Sequence, residues 1–263
     1  SFLAHKFIKK NQKIYIIKKY TGDINNHHKF RSWIKKNQNL NYFINFAAKL
    51  KTSDSKKNIN KLFQTNYNSV IKLMNIINSN KLKKFNYFLA ISSSHVFKNT
   101  NYKLKEESLK KPRSNYGKSK LKMENYIIKN YKKYYFKIGI ARVFNYYNLN
   151  NKHNFINDVL HKLKDNNNIV KFNKVDTYRD FTHVDDVVSG INQMIKFNLI
   201  KDYNICSGNK IYLKKIIYYL NKKIKNKIIV YIGGKTKNLV GSNIKLQKTG
   251  WKCKKVFDFK KII

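Results

Sequence analysis

The sequence contains little cysteine and no long apolar run. Its two cysteines, Cys206 and Cys253, lie far apart with no paired spacing, which excludes a disulfide framework and a zinc site built on cysteine pairs. No apolar stretch approaches the roughly 20 residues that a membrane span needs, and the first residues do not read as a signal peptide. We therefore expect a soluble, cytoplasmic protein. Its 263 residues, 42% of them hydrophobic, can bury one good core or two small ones.

Acidic residues are also scarce, since 13 Asp and Glu oppose 57 Lys and Arg and give a formal charge of +44. Such a charge is typical of nucleic-acid binders, because lysines neutralise phosphates. Here the excess is nearly all lysine and is spread along the chain, and it accompanies an excess of Asn, Ile, Tyr and Phe, all of which have AT-rich codons. Codon bias explains the charge without a polyanion, so we expect no nucleic-acid partner. A basic nucleic-acid-binding protein stays a distant alternative.

Tyr116 and Lys120 lie four residues apart at the start of a strongly helical pattern. That spacing places both side chains on one helix face. A lysine ammonium beside a tyrosine favours the phenolate, so the tyrosine can exchange a proton closer to neutral pH than its reference pKa of about 10 allows. The pair suits alcohol and ketone chemistry. The spacing alone is weak evidence, because a chain with 19 tyrosines and many lysines contains it by chance.

Short apolar runs alternate with amphipathic stretches, a pattern typical of parallel strands joined by crossover helices. The predicted strands are Lys13–Ile17, Tyr42–Phe46, Tyr87–Ile91 and Phe136–Ile140. The predicted helices are Ser69–Ser79, Tyr116–Tyr131, Val187–Phe197 and Leu213–Lys223, and Asn-rich loops are predicted over 149–154 and 165–168. A motif follows each strand at once. Because ligands bind outside the carboxyl ends of parallel strands, one shared site is predicted there.

Six motifs occur in order along the chain. They are Ile91-Ser-Ser-Ser-His-Val-Phe97, the set Pro112, Tyr116, Ser119, Lys120 and Glu124, then Ala141-Arg-Val-Phe-Asn145, Arg179-Asp-Phe-Thr-His-Val-Asp-Asp186, Tyr203-Asn-Ile-Cys-Ser-Gly208 and Gly250-Trp251. Their order resembles the extended short-chain dehydrogenase/reductase family, specifically its NAD-dependent epimerase/dehydratase branch, which acts on nucleotide-sugars. The resemblance covers nearly all of the chain.

The resemblance implies an α/β fold, a Rossmann-type doubly wound parallel sheet with a small C-terminal substrate-binding lobe. It implies an NAD(P)-binding domain over 1–148 and, over 149–263, a lobe that mainly binds substrate, with some segments returning to the sheet. Family members open with a strand and Gly-x-x-Gly-x-x-Gly, whose backbone approaches the cofactor pyrophosphate. No glycine precedes Gly22 here, and the first ten residues resemble the helix after that loop. We expect an N-terminal truncation that removes this strand and loop, and weak cofactor binding as a result.

The resemblance also implies three catalytic residues. Ser93 would hydrogen-bond the sugar oxygen that is oxidised or reduced, Tyr116 would pass the proton, and Lys120 would hold the ribose hydroxyls and lower the tyrosine pKa. A turn residue at the strand end is the competing interpretation for Ser93.

Binding residues are implied in the same way. The expected contacts to NAD or NADP are Lys18, Asp23, Ile24, Ala47, Ala48, Lys49, Asn66, Tyr116 and Lys120, and the expected contacts to the sugar nucleotide are Ser93, Ser94, His95, Asn145 and Arg179. A simple turn competes for Asp23, and a structural ion pair with Asp180 or Asp185 competes for Arg179. Lys18 favours NADP weakly. No metal site is expected.

The resemblance implies oxidoreduction at C4 of a nucleotide-activated sugar. Related 4,6-dehydratases carry an acidic residue at the position of His95, so dehydration is disfavoured. A 4-keto-6-deoxysugar-nucleotide reductase fits best, a nucleotide-sugar 4-epimerase is the alternative, and the expected setting is polysaccharide biosynthesis. A nucleotide-sugar substrate, a homodimer and no membrane partner are expected.

Overall fold

The computed structural model describes residues 1–50, 55–148, 155–165, 169–224 and 229–259. The loop predicted over 149–154 and residues 166–168 of the second predicted loop lie outside these residues. In the described part of the chain, no helix is long and apolar enough to cross a membrane.

Helices occupy much of the described chain. The α-helices are α1 (Phe2–Asn11), α2 (His27–Lys36), α3 (Lys56–Phe63), α4 (Ser69–Asn80), α5 (Asn115–Asn130), α6 (Phe155–Lys164), α7 (Val184–Lys196), α8 (Leu213–Lys223) and α9 (Ile244–Gln247). A π-helical turn at Gln64–Asn68 joins α3 to α4, and short 3₁₀ turns lie at Ser94–Val96 and Tyr131–Lys133. The four predicted helices correspond to α4, α5, α7 and α8 and are confirmed.

Strands separate these helices. They are β1 (Tyr42–Asn45), β2 (Tyr87–Ser93), β3 (Lys137–Val143), β4 (Asn145–Tyr147), β5 (Ile169–Asp176), β6 (Tyr178–Arg179), β7 (Phe181–His183), β8 (Lys201–Ile205), β9 (Ile211–Tyr212) and β10 (Ile229–Lys235). The largest sheet has the order β1-β2-β3-β8, and β2 is parallel to both β1 and β3. The predicted α/β class with a parallel central sheet is confirmed.

One predicted strand is wrong. Residues 13–15 form a turn and a bend, residues 16–17 have no regular secondary structure, and no described strand pairs with this segment. Ile14 and Ile16 are 67% and 92% exposed. An apolar run becomes a strand only when a neighbour takes up its backbone hydrogen bonds, and the described sheet supplies none at this position.

The chain divides into two compact units. Unit 1 consists of Ser1–Lys98, Ser108–Val143 and Val188–Tyr203, and unit 2 consists of Asn99–Glu107, Phe144–Val187 and Asn204–Ile263. The core of unit 1 packs α2, α4 and α5 against the apolar side chains of β2 and β3, with Phe88 and Ile140 among its buried residues. The domain division predicted at residue 148 stays a prediction.

Unit 2 has a core of its own. It packs α6 and α8 against β5, which pairs in parallel with β10, and Leu163, Phe172 and Leu220 are buried there. Two smaller pairs complete the unit, a parallel one between β4 and β7 and an antiparallel one between β6 and β9.

Candidate active site

Tyr116 and Lys120 lie one turn apart on α5, as predicted from their spacing. The helix begins because the Ser114 side chain accepts a hydrogen bond from the Gly117 backbone N–H at 3.1 Å. Tyr116 is half-buried in the first turn, whereas Lys120 is almost completely buried in the second. The helix therefore presents a phenol and an ammonium to the same side of unit 1.

The Lys120 ammonium has a fixed partner on β2. Its Nζ donates a hydrogen bond to the Ile91 carbonyl oxygen at 2.8 Å. Burial lowers the pKa of Lys120 from 10.5 to about 8, although the nearby Glu124 carboxylate acts in the opposite direction. The lysine stays charged at neutral pH in surroundings that exclude water, where a charge acts on its neighbours most strongly.

The serine run leaves β2 beside the start of α5. Ser93 is buried at the strand end, and its Oγ accepts a hydrogen bond from the His95 backbone N–H at 3.3 Å. The exposed His95 ring meets the Tyr116 ring edge to face, with 5.9 Å between centroids. A side chain in place of the hydrogen at Gly117 would overlap the His95 carbonyl oxygen and come within 2.9 Å of the Pro112 Cβ. Glycine thus lets the helix start press against the turn that follows Ser93.

Asn66 ties the segment after β1 to α5. Its Oδ1 accepts from the Lys49 backbone N–H at 2.8 Å, and its Nδ2 donates to the Lys49 carbonyl at 2.9 Å and to Ser119 Oγ at 3.0 Å. Ser119 in turn donates to the Tyr116 carbonyl at 2.7 Å. Asn66 lies on the π-helical turn and is fully buried. Its contacts hold Lys49 and α5 together, and its predicted contact to the cofactor stays a prediction.

Three groups of unit 1 offer hydrogen-bonding atoms to a polar ligand such as an NAD(P) cofactor. One of the three Lys120 donors goes to Ile91, which leaves donors for ribose hydroxyls. Asn45 Nδ2 and Ser94 Oγ are buried and have no hydrogen-bond partner among the described residues. A bound polar ligand can form hydrogen bonds with buried polar atoms that have no protein partner. No residue described here is assigned to the pyrophosphate.

The remaining predicted cofactor residues of unit 1 lie on its surface or near it. Asp23 Oδ1 accepts from both the backbone and the side-chain amide of Asn25 at 2.9 Å, which is the turn that competed with a binding role. Ile24 packs against the core of unit 1, and Ala47 donates from its backbone N–H to Asn45 Oδ1 at 3.2 Å. Ala48 and Lys18 are exposed.

Asn145 and Arg179 belong to unit 2. Asn145 opens β4, opposite Phe181 of β7. Arg179 Nη1 donates to Thr177 Oγ1 at 2.6 Å and to the Tyr178 carbonyl at 2.9 Å. The acids that competed for Arg179 have other partners of their own. Asp180 accepts from the Ser207 and Gly208 backbone and from Thr182 and Ser207 hydroxyls, and Asp185 pairs with Lys255 at 2.6 Å.

Sequence reasoning missed two features of unit 1. Asn45 ends the apolar strand β1, and its buried Nδ2 has no hydrogen-bond partner among the described residues; the polar residue in the run Tyr42–Phe46 was the available signal. Glu124 was noted only as a motif position, yet it forms a fully buried ion pair with Arg142. The arginine inside the apolar strand β3 could have predicted this pair, because a buried charge needs a partner of opposite charge.

Comparison with known proteins identifies the relatives of this fold. RMD from Pseudomonas aeruginosa, solved with NADPH, superposes with a TM-score of 0.81 at 19% identity over 97% of this chain and 91% of the other. UDP-glucose 4-epimerase from Thermus thermophilus, solved with NAD, gives 0.81 at 16% identity over 98% and 92%. dTDP-glucose 4,6-dehydratase from Bacillus anthracis, also with NAD, gives 0.77 at 17% over 97% and 88%.

At these identities the likeness to solved structures shows the fold alone. No curated protein sequence matches the chain. A family model described as GDP-mannose 4,6 dehydratase matches residues 3–258. The chain therefore belongs to the GDP-mannose 4,6-dehydratase family, within the NAD-dependent epimerase/dehydratase branch of the extended short-chain dehydrogenases/reductases.

Proposed function

We propose that the protein catalyses NAD(P)-dependent oxidoreduction at C4 of a nucleotide-activated sugar. The observation that carries the proposal is the buried Lys120 ammonium, held against the Ile91 carbonyl one helical turn from Tyr116. Ser93 ends the strand to which that lysine is tied. A tyrosine, a lysine and a serine brought together in this way can move a proton to or from a sugar oxygen.

Each residue has a defined task in the proposed reaction. The Tyr116 phenol gives its proton to the C4 oxygen during reduction, and its phenolate accepts the proton of the C4 hydroxyl during oxidation. The Lys120 charge favours the phenolate form of Tyr116, and Ser93 Oγ holds the same sugar oxygen by a hydrogen bond. A bound nicotinamide supplies or takes up the hydride. Lys120, Asn45 and Ser94 are proposed to hold its ribose and nearby polar groups, and Asn145 and Arg179 of unit 2 remain proposed contacts of the sugar nucleotide.

Within this reaction class we favour reduction of a 4-keto-6-deoxysugar nucleotide. His95 lies beside Tyr116 in a position where dehydratases carry an acidic residue, so the site lacks the carboxylate expected for loss of water. A nearby fold relative was solved with NADPH, the reduced cofactor that a reductase consumes. A 4-epimerase is the second candidate, because it needs the same three residues and because a 4-epimerase is among the fold relatives.

Cofactor stoichiometry separates these reactions. The protein expressed from its own gene is incubated with 4-keto-6-deoxy and ordinary sugar nucleotides, and NAD(P)H absorbance is followed together with product NMR. A reductase consumes one NAD(P)H for each product molecule, whereas an epimerase consumes none. A 4-keto product formed with loss of water would contradict both assignments.

The catalytic residue is tested by Tyr116→Phe. We expect turnover to be abolished while calorimetry shows unchanged sugar-nucleotide binding, because only the acidic hydroxyl is lost. Tyr131→Phe is the matched control, since Tyr131 follows the other end of α5 and is 49% exposed. Retained turnover in Tyr116→Phe would remove the assignment.

A further inference from the structure

A buried ion pair stands one turn beyond the catalytic lysine. Arg142 and Glu124 have fully buried side chains. Arg142 Nε lies 3.0 Å from both carboxylate oxygens of Glu124, and Nη2 donates to Oε2 at 2.7 Å. A carboxylate held by such a fork cannot rotate freely. Glu124 therefore has a fixed orientation within unit 1.

The arginine is held from its other sides as well. Its Nη1 pairs with Asp202 at 2.5 Å, and its guanidinium lies 5.1 Å from the centre of the Phe97 ring. Asp202 belongs to β8 and Arg142 to β3, so two neighbouring strands of the sheet fix the group that fixes Glu124. The pair is thus anchored in the sheet and does not depend on the helix alone.

The fixed Glu124 carboxylate also binds a residue of β2. Ser92 Oγ donates a hydrogen bond to Glu124 Oε1 at 2.5 Å. Ser92 pairs with Arg142 in the register between β2 and β3. Its neighbours in sequence are Ile91, whose carbonyl accepts from Lys120, and Ser93, the proposed catalytic serine. Two successive residues of β2 are therefore attached to two residues of α5 that lie one turn apart.

We propose that Glu124 is a positioning residue: held by Arg142, its carboxylate fixes Ser92 and with it the distance between Ser93 on β2 and Tyr116 on α5. This inference rests on the proposed function. The contacts Lys120–Ile91 and Glu124–Ser92 attach α5 to two successive residues of β2, so the second contact fixes the helix against the strand end where Ser93 lies. Proton transfer requires the reacting atoms to be aligned to within about 1 Å, so loss of the second contact reduces turnover more than binding.

The test removes the link and leaves the ion pair in place. In Ser92→Ala, Glu124 keeps Arg142, so the buried charges stay paired and the fold is retained. We expect kcat to fall about tenfold to a hundredfold, while KM for the sugar nucleotide and for the cofactor changes less than about twofold. Ser92→Thr keeps the hydroxyl and restores most of kcat. In the double variant Ser92→Ala/Glu124→Gln, we expect the fold-decrease in kcat to be smaller than the product of the fold-decreases in the two single variants. Both substitutions remove the same hydrogen bond between Ser92 and Glu124, so their effects are not independent.

Tyr134→Phe is the matched control. It deletes another buried hydroxyl of unit 1, one that donates to Asn75 Oδ1 at 2.8 Å, and it leaves kcat unchanged. A wild-type kcat in Ser92→Ala, or a loss that Ser92→Thr does not restore, would overturn the positioning role and leave the proposed function standing. Absence of turnover by the wild-type protein on every sugar nucleotide would overturn both.

Discussion

The buried Lys120 ammonium donates a hydrogen bond to the Ile91 carbonyl oxygen at 2.8 Å. This contact joins α5 to β2, which ends at Ser93, and it keeps a positive charge in a buried part of unit 1. Burying a charge with a single backbone partner costs stability. The proposed role of Lys120 accounts for this cost, and the predictions on its pKa and on its replacement depend on the contact.

Turnover should fall on the alkaline side of the Lys120 pKa. Burial lowers that pKa to about 8, so the ammonium that favours the Tyr116 phenolate is present below pH 8 and is lost above it. We expect kcat/KM for the sugar nucleotide to decline about tenfold per pH unit above this value. Lys120→Arg stays charged, so its residual activity should lack this decline. A wild-type profile that remains flat well above pH 8 would contradict the assignment.

Replacing the catalytic lysine should stabilise the fold. The pKa of Lys120 is lower in the folded protein than its ordinary value of 10.5, so its burial penalty is complete below about pH 8 and disappears as pH rises to 10.5. The shift corresponds to about 3 kcal/mol at neutral pH. Lys120→Met should therefore raise the melting temperature at pH 7, with the gain fading toward pH 10.5, and abolish turnover.

Lys118→Met provides the control for that experiment, because Lys118 is exposed on the same helix. Its melting temperature and turnover should stay at the wild-type values. A lower melting temperature in Lys120→Met than in Lys118→Met would mean that the lysine contributes to folding.

Gly117→Ala should push the first turn of α5 away from the turn that follows Ser93. The added methyl would overlap the His95 carbonyl oxygen, a backbone atom that cannot move away cheaply. We expect kcat to fall about tenfold to a hundredfold through misplacement of Tyr116. Gly233→Ala is the control, since its methyl would meet only the Asn173 side chain at 3.3 Å. The measurement is the steady-state kcat of both variants. Equal kcat values would show that close packing at Gly117 does not position Tyr116.

Arg142→Met should destabilise unit 1 strongly. The change removes the ion pairs that Arg142 forms with the buried Glu124 carboxylate and with Asp202. Breaking a buried ion pair from one side costs about 3 to 5 kcal/mol, and we expect that loss in the free energy of unfolding in urea. Arg31→Met, at an exposed position on α2, should change it by less than about 0.5 kcal/mol. Comparable losses in the two variants would be inconsistent with the network.

Local spacing predicted α5 well. Tyr116 and Lys120 could be placed on one face because an α-helix has 3.6 residues per turn whatever surrounds it. The strands around Phe88 and Ile140 could be predicted because continuous apolar runs are typical of buried parallel strands. The predicted strand over 13–17 failed for the complementary reason, since a strand depends on a neighbour that its own residues do not specify.

Contacts between distant segments could not be predicted in this way. Glu124, Arg142 and Asp202 come from three separate elements, and only the fold brings their charges together. The same holds for Asp180, which lies between β6 and β7 and whose carboxylate accepts hydrogen bonds from Ser207 and Gly208, far along the chain. Burial raises its pKa, although these hydrogen bonds act in the opposite direction.

Transfer of an isotope label tests the proposed function most directly. The wild-type protein is given a 4-keto-6-deoxysugar nucleotide together with NADPH or NADH that carries deuterium at the transferable position, and the product is analysed by NMR and mass spectrometry. We predict one deuterium at C4 of the sugar for each cofactor oxidised, and none with Tyr116→Phe. An oxidised cofactor without label at C4, or no transfer to any sugar nucleotide, would contradict the account.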